Sequence, residues 1–101
     1  MTENRTDVGV IGVGSMGQHH ARVYSELSNT DLVGIADVDI ERAGEIADKH
    51  ETEAMETDDL LDAADAVSVA VPTRFHYDVV TTCLDAGVAT FVEKPVLGSL
   101  E

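Results

Sequence analysis

The chain is poor in cations, aromatic residues and cysteine, and each shortage excludes a class of function. Lysine occurs only at Lys49 and Lys94, and the formal net charge is −14 over 101 residues. Because no basic patch exists to neutralise phosphates, nucleic acid is a poor partner. Only two Phe and two Tyr are present, so the core must be aliphatic. No apolar run approaches a membrane span and no basic signal-peptide start is seen, so we expect a cytoplasmic protein.

The single cysteine, Cys83, excludes an internal disulfide and fits a reducing compartment. The apolar pattern at Val79, Val80, Cys83 and Leu84 predicts the buried face of a helix. We therefore interpret Cys83 as a structural thiol rather than a nucleophile. No metal site is predicted, because adjacent histidines such as His19 and His20 diverge by about 100° on a helix.

Carboxylates crowd the predicted surface segments, for example residues 51–53 and 57–59. So many like charges repel one another in a compact state at low salt, and salt screens that repulsion. An acidic surface that merely improves solubility is the simpler interpretation. The density of acids favours a halophilic one, adaptation to a high-salt cytoplasm.

A glycine-rich turn is the most informative motif. An uncharged run over residues 8–13 enters Gly-x-Gly-x-x-Gly at Gly12, Gly14 and Gly17, and Asp37 follows 20 positions later at the end of a second apolar run. Gly12 permits a tight turn, Gly14 lets the backbone approach a pyrophosphate, and Gly17 lets a helix pack on the strand. Asp37 is placed to accept hydrogen bonds from the adenosine ribose hydroxyls. A tight turn that binds nothing is the alternative, and the complete strand–turn–helix–strand–acid order favours a dinucleotide site.

The whole chain alternates between strand and helix patterns, which predicts an α/β fold with a doubly wound parallel sheet. We predict a Rossmann dinucleotide-binding fold of about five strands with helices on both faces, forming one domain over residues 1–101 with an ordered core at about 6–97. The first strand should be central, with the second and fourth beside it. The predicted strands are 7–12, 32–37, 53–55, 65–71 and 88–92, and the predicted helices are 15–28, 40–50, 58–63 and 73–86.

Three segments together resemble the Gfo/Idh/MocA oxidoreductase family. Residues 17–21 look like the family's Gly-x-x-His-Ala helix start, and residues 93–95 match its Glu-Lys-Pro signature. Residues 70–76 are similar to its Thr-Pro-Asn-x-x-His corner, with Val71 and Thr73 replacing the usual residues. The resemblance extends from about Asp7 to Pro95.

The resemblance implies an N-terminal NAD-binding Rossmann domain followed by an α/β domain that binds a sugar or polyol and forms the oligomer contacts. It gives Lys94 the catalytic position, beside the nicotinamide and the carbon that gives up hydride. No sequence remains here for the second domain or for its Asp and His. We therefore expect this chain alone to be inactive and mostly monomeric, and the full-length enzyme to be a homo-oligomer.

The family pattern and the strand ends define one predicted crevice. NAD should be preferred to NADP, because Asp37 would repel a 2′-phosphate and neither residue 38 nor residue 39 is basic. For His76, cofactor contact and packing are about equally supported. Arg42 is expected in solvent, although it is near enough to Asp37 to reach the ribose. The predicted cofactor residues are Gly12, Gly14, Ser15, Met16, Gly17, Asp37, Val38, Val71, Pro72, Thr73, His76, Glu93, Lys94 and Pro95.

Three functions compete at this point. The leading one is the cofactor-binding part of an NAD-dependent sugar or polyol dehydrogenase. A stand-alone nucleotide-binding regulatory domain without catalysis is the second. A different Rossmann enzyme such as a methyltransferase is the third, and the corner Glu93-Lys94-Pro95 argues against it.

Overall fold

The computed structural model describes residues 6–71 and 76–92, without the side chains of Ser15, Met16 and His76. In chain order the elements are β1 (Thr6–Ile11), α1 (Ser15–Glu26), β2 (Thr30–Ala36), α2 (Ile40–Lys49), α3 (Thr57–Ala63), β3 (Ala66–Val69), α4 (His76–Asp85) and β4 (Ala89–Val92). These strands form a four-stranded parallel sheet with the order β2-β1-β3-β4. The central first strand, flanked by its predicted neighbours, confirms the doubly wound α/β class.

The helices cover both faces of the sheet. Val10 packs into a cluster with residues of α1 and α2, whereas its neighbour Ile11 packs into a second cluster with residues of α3 and α4. Adjacent residues of a strand point to opposite faces, so one apolar run supplies both cores. The result is a three-layer domain in which the carboxyl ends of the strands lie at one edge.

Leu60 of α3 packs over a notch made by two glycines. Gly9 of β1 and Gly34 of β2 are paired in register. A Cβ built on Gly9 would lie 2.6 Å from Leu60 Cδ1, and one built on Gly34 would lie 2.9 Å from the same atom. The Leu60 side chain is fully buried, so its truncation to Ala should cost about 2–5 kcal/mol of folding free energy. Gly9 and Gly34 therefore make room for the Leu60 side chain rather than for a ligand.

The segment predicted as a third strand, residues 53–55, forms a single parallel bridge between Ala54 and Ile35. The Ile35 amide donates to the Glu53 carbonyl at 2.9 Å, and the Met55 amide donates to the Ile35 carbonyl at 2.8 Å. Both Glu53 and Ala54 are exposed. A segment with so little apolar surface to bury gains little stability from further strand pairing. It therefore lies at the edge of the sheet through one bridge and does not form a fifth strand.

Cys83 is buried beneath β4, as predicted. Burial raises the pKa of its thiol, and a side-chain hydrogen bond with Thr90 offsets part of that rise. The same prediction was wrong for Leu84, which is 60% exposed. One residue along a helix turns the side chain by about 100°, which carries Leu84 off the face that Cys83 occupies. In the described ranges, no helix is long and apolar enough to cross a bilayer.

Candidate functional site

The glycine turn joins the end of β1 to the start of α1 at the edge where the strands end. Gly12 has a φ of +94°, and a Cβ there would lie 2.9 Å from the carbonyl carbon of Ala70 and 3.0 Å from Cγ1 of Val71. A Cβ on Gly17 would overlap the carbonyl oxygen of Gly12. Both glycines therefore act as predicted: one makes the turn, and the other lets the helix begin against the strand.

Gly14 faces open space and stands at the N-cap of α1. Nothing in the described part of the chain lies within 4 Å of a Cβ built there. As the N-cap residue, Gly14 has no side chain with which to cap this helix, and the first turn of α1 contains no acid, whereas Glu41, Asp58 and Asp78 occupy the first turns of α2, α3 and α4. The first amides of α1 and the positive end of its dipole are thus left for an anion. A pyrophosphate fits this position.

Asp37 connects the end of β2 to the glycine turn. Its Oδ2 accepts a hydrogen bond from the Val13 amide at 2.7 Å, and its Oδ1 accepts one from the Asp39 amide at 2.7 Å. The side chain is only 4% exposed. Hydrogen bonds from amides to a carboxylate contribute about 1.5–3 kcal/mol each. Asp37 therefore orients the glycine turn from the end of β2.

Arg42 lies against Asp37 and is partly exposed to solvent. Asp39 caps α2 by accepting a hydrogen bond from the Arg42 amide at 3.1 Å, which sets Arg42 in the first turn of the helix. Its Nη2 lies 3.4 Å from Oδ1 and 3.5 Å from Oδ2 of Asp37. The Arg42 side chain is 43% exposed, so it remains partly solvated as expected, and it also reaches Asp37, as the five-residue spacing allowed.

An open cavity of about 660 Å³ continues past Asp37 on the outer side of β2. Glu53, Glu56 and Asp59 are among its lining residues, and their negative charge disfavours a phosphate in this cavity. Its lining comprises Ala36, Asp37, Val38, Ile40, Ala43, Glu53, Ala54, Met55, Glu56, Thr57 and Asp59.

Most predicted site residues that the structure describes meet at this edge. Gly12, Gly17 and Val71 are in contact through the turn, and Val38, beside Asp37, is fully exposed. Gln18, which no sequence motif singled out, donates a hydrogen bond from its Nε2 to the Val13 carbonyl at 3.0 Å and steadies the turn. Pro72, Thr73, Glu93, Lys94 and Pro95 lie outside the described residues, and for Ser15, Met16 and His76 only the backbone is described.

A parallel sheet of this order, a glycine turn leading into an uncapped helix and a carboxylate after the second strand define a dinucleotide-binding α/β domain. The profile of the Gfo/Idh/MocA oxidoreductase family, described as an NAD-binding Rossmann fold, matches residues 6–101. The chain belongs to this family and is its NAD-binding Rossmann domain.

The chain is similar to two curated relatives, both dehydrogenases. UDP-N-acetylglucosamine 3-dehydrogenase of Acidithiobacillus ferrooxidans is 42% identical over 88 residues, covering 86% of this chain and 28% of the relative. Inositol 2-dehydrogenase 4 of Saccharopolyspora erythraea is 36% identical over 101 residues, covering 95% of this chain and 30% of the relative. The chain thus spans less than a third of the length of these relatives.

Solved structures agree with this assignment. The Acidithiobacillus enzyme superposes with a TM-score of 0.86 at 39% identity, covering 90% of this chain and 30% of that one. GenD2 from gentamicin A biosynthesis, solved in complex with NAD, superposes with a TM-score of 0.87 at 31% identity, covering 95% of this chain and 28% of that one.

Proposed function

We propose that this domain binds NAD in preference to NADP and presents it, with Lys94, to a sugar-like or polyol-like substrate. The observation that carries the proposal is the contact between the Asp37 carboxylate and the Val13 amide at 2.7 Å. This hydrogen bond holds the negative charge of Asp37 beside the glycine turn. The open amides of that turn suit a pyrophosphate. A ribose bound there would meet that charge at its 2′ and 3′ oxygens.

The preference for NAD follows from this charge. Ribose hydroxyls can donate hydrogen bonds to a carboxylate, whereas a 2′-phosphate brings a second negative group against it. The relatives named above favour a dehydrogenase over a stand-alone regulatory domain, because both are dehydrogenases. Their names also support a sugar or cyclic polyol as the substrate class.

The role of Lys94 rests on the Glu-Lys-Pro signature. When bound, a nicotinamide dinucleotide accepts the hydride that leaves the substrate carbon. The Lys94 ammonium would orient the substrate hydroxyl and stabilise the negative charge that develops on its oxygen. A longer chain with a substrate domain would supply the second wall and exclude water, so we propose that these 101 residues alone are inactive and mostly monomeric.

Calorimetric titration of the 101-residue chain with NAD and NADP tests the cofactor proposal. We expect NAD to bind more tightly than NADP. Asp37→Ala should narrow the difference between the two affinities, because it weakens NAD binding and removes the repulsion of the 2′-phosphate of NADP. Thermal melting of the variant controls for folding, because Asp37 also holds the glycine turn. Equal or tighter binding of NADP to the unmodified chain would contradict the assignment.

A further inference from the structure

We propose that Arg42 limits the dinucleotide selectivity that Asp37 creates, by occupying in the free protein the acceptor positions of Asp37 that a ribose would need and by turning to a 2′-phosphate when one is bound. The proposal rests on the proposed cofactor-binding function and deepens it. It assigns Arg42 a specificity role at the same site.

The acceptor capacity of Asp37 is already used. A carboxylate offers about four lone-pair sites on its two oxygens. The amides of Val13 and Asp39 take one site on each oxygen, and Arg42 Nη2 faces both oxygens at 3.4 and 3.5 Å. With the side chain 4% exposed, two incoming ribose hydroxyls would have to replace the guanidinium.

The Arg42 contact is suited to replacement. Its distances are at the long end of hydrogen bonding, whereas the two amide contacts are short. The Arg42 side chain is 43% exposed, and its buried Nε has no hydrogen-bond partner among the described residues. An ion pair with one exposed partner contributes little to stability. Arg42 can therefore leave Asp37 at small cost while the two amides hold the carboxylate in place.

Helix stability does not account for a cation at this position. Arg42 lies in the first turn of α2, where the helix dipole favours acids such as the neighbouring Glu41 and disfavours cations. The chain has six Lys and Arg residues against twenty acids. A guanidinium beside the ribose position has a planar fork that matches a phosphate, so it would offset the repulsion between Asp37 and NADP.

The two ligands should respond to Arg42→Ala in opposite directions. We expect NAD to bind up to about fivefold more tightly, because its competitor for Asp37 is gone, and NADP to bind about tenfold more weakly. Arg22→Ala is the matched control, since it removes one positive charge from an exposed pair with Glu26 on α1. Arg42→Gln keeps the length of the side chain and serves as a second variant if Arg42→Ala melts early.

A double-mutant cycle separates direct contact from simple neutralisation. With Asp37→Ala as the background, Arg42→Ala should leave NAD affinity unchanged and should still weaken NADP. If the NADP effect disappears in that background, Arg42 acts only by neutralising Asp37 and the proposed phosphate contact is wrong.

The remaining outcomes are equally decisive. Weaker NAD binding by Arg42→Ala and by Arg42→Gln would overturn the claim that Arg42 competes with the ribose. Equal effects of Arg42→Ala and Arg22→Ala would reduce the role to long-range charge and overturn the proposal. If the unmodified chain binds neither dinucleotide, the proposed function fails and this inference fails with it. If NAD binds but Arg42→Ala does not change the affinities for NAD and NADP in opposite directions, the inference alone fails.

Discussion

The carbonyl oxygen of Gly12 occupies the space in which a side chain at Gly17 would begin. The end of β1 and the first turn of α1 are thus in backbone contact, with no room for a methyl group between them. The six residues from Gly12 to Gly17 contain the turn that leaves the amides of α1 open to a ligand.

Gly17→Ala should therefore destabilise the domain, although alanine is the better helix former. Propensity alone would favour the substitution by about 1 kcal/mol, whereas forcing a methyl group into packed backbone costs about 1–3 kcal/mol or more. Urea denaturation followed by circular dichroism measures the difference. A stabilised Gly17→Ala variant would show that the strand and the helix are not in close contact.

Gly14→Ser is the matched control for that substitution. Gly14 has a φ of −69° and faces open space, and serine is a good N-cap residue. Its folding stability should change by less than about 0.5 kcal/mol, while its side chain enters the position proposed for the pyrophosphate and weakens NAD binding. The pair separates the packing role of Gly17 from the ligand role of Gly14.

The net charge of −14 should make stability depend on ionic strength. Six Lys and Arg residues stand against twenty Asp and Glu residues, so most carboxylates have no cation to pair with one to one. Screening should raise the melting temperature from low salt to molar KCl. Potassium sulfate at the same ionic strength is the control, because screening depends mainly on ionic strength and surface exclusion depends on the anion. A melting temperature that does not change with KCl concentration would show that repulsion among the carboxylates does not govern the stability of the domain.

Cys83 should contribute to stability below the ordinary thiol pKa and lose that contribution in alkali. Burial raises the pKa of the folded-state thiol, so the unfolded chain ionises first as pH rises above about 8.5. From that pH upward, the unfolded state is favoured until the folded thiol also ionises. Denaturation at pH 7 to 10 should therefore show a steeper alkaline loss for the unmodified chain than for Cys83→Ala. Identical pH profiles would contradict the buried-thiol account.

Lys94→Ala should separate catalysis from cofactor binding in a chain extended by a substrate domain. If Lys94 acts on the reacting oxygen, kcat should fall by a large factor while the affinity for NAD changes little. The 101-residue chain should oxidise no sugar at a useful rate, because hydride transfer needs the substrate carbon held against the nicotinamide. Activity that survives Lys94→Ala would overturn the role of the lysine, and robust activity of the short chain would overturn the need for a second domain.

Much of the site was predictable because its signals are local in sequence. The spacing of Gly12, Gly14 and Gly17 encodes a turn whose conformation few other residues adopt, and Asp37 follows one helix and one strand later. The alternation of apolar runs with helical patterns predicted the parallel sheet and its central strand. These features depend on backbone limits and on periodicity, which a sequence displays directly.

Other features were decided only when distant segments packed together. Leu60 fills the notch over Gly9 and Gly34, and the segment around Ala54 reaches the sheet as one bridge rather than as a strand. Arg42 reaches Asp37 because the Asp39 cap sets the first turn of α2 beside the end of β2. Residue types and spacing determined the dinucleotide turn, whereas side-chain positions depended on which neighbours the fold supplied, since packing and desolvation act between atoms that only the tertiary structure brings together.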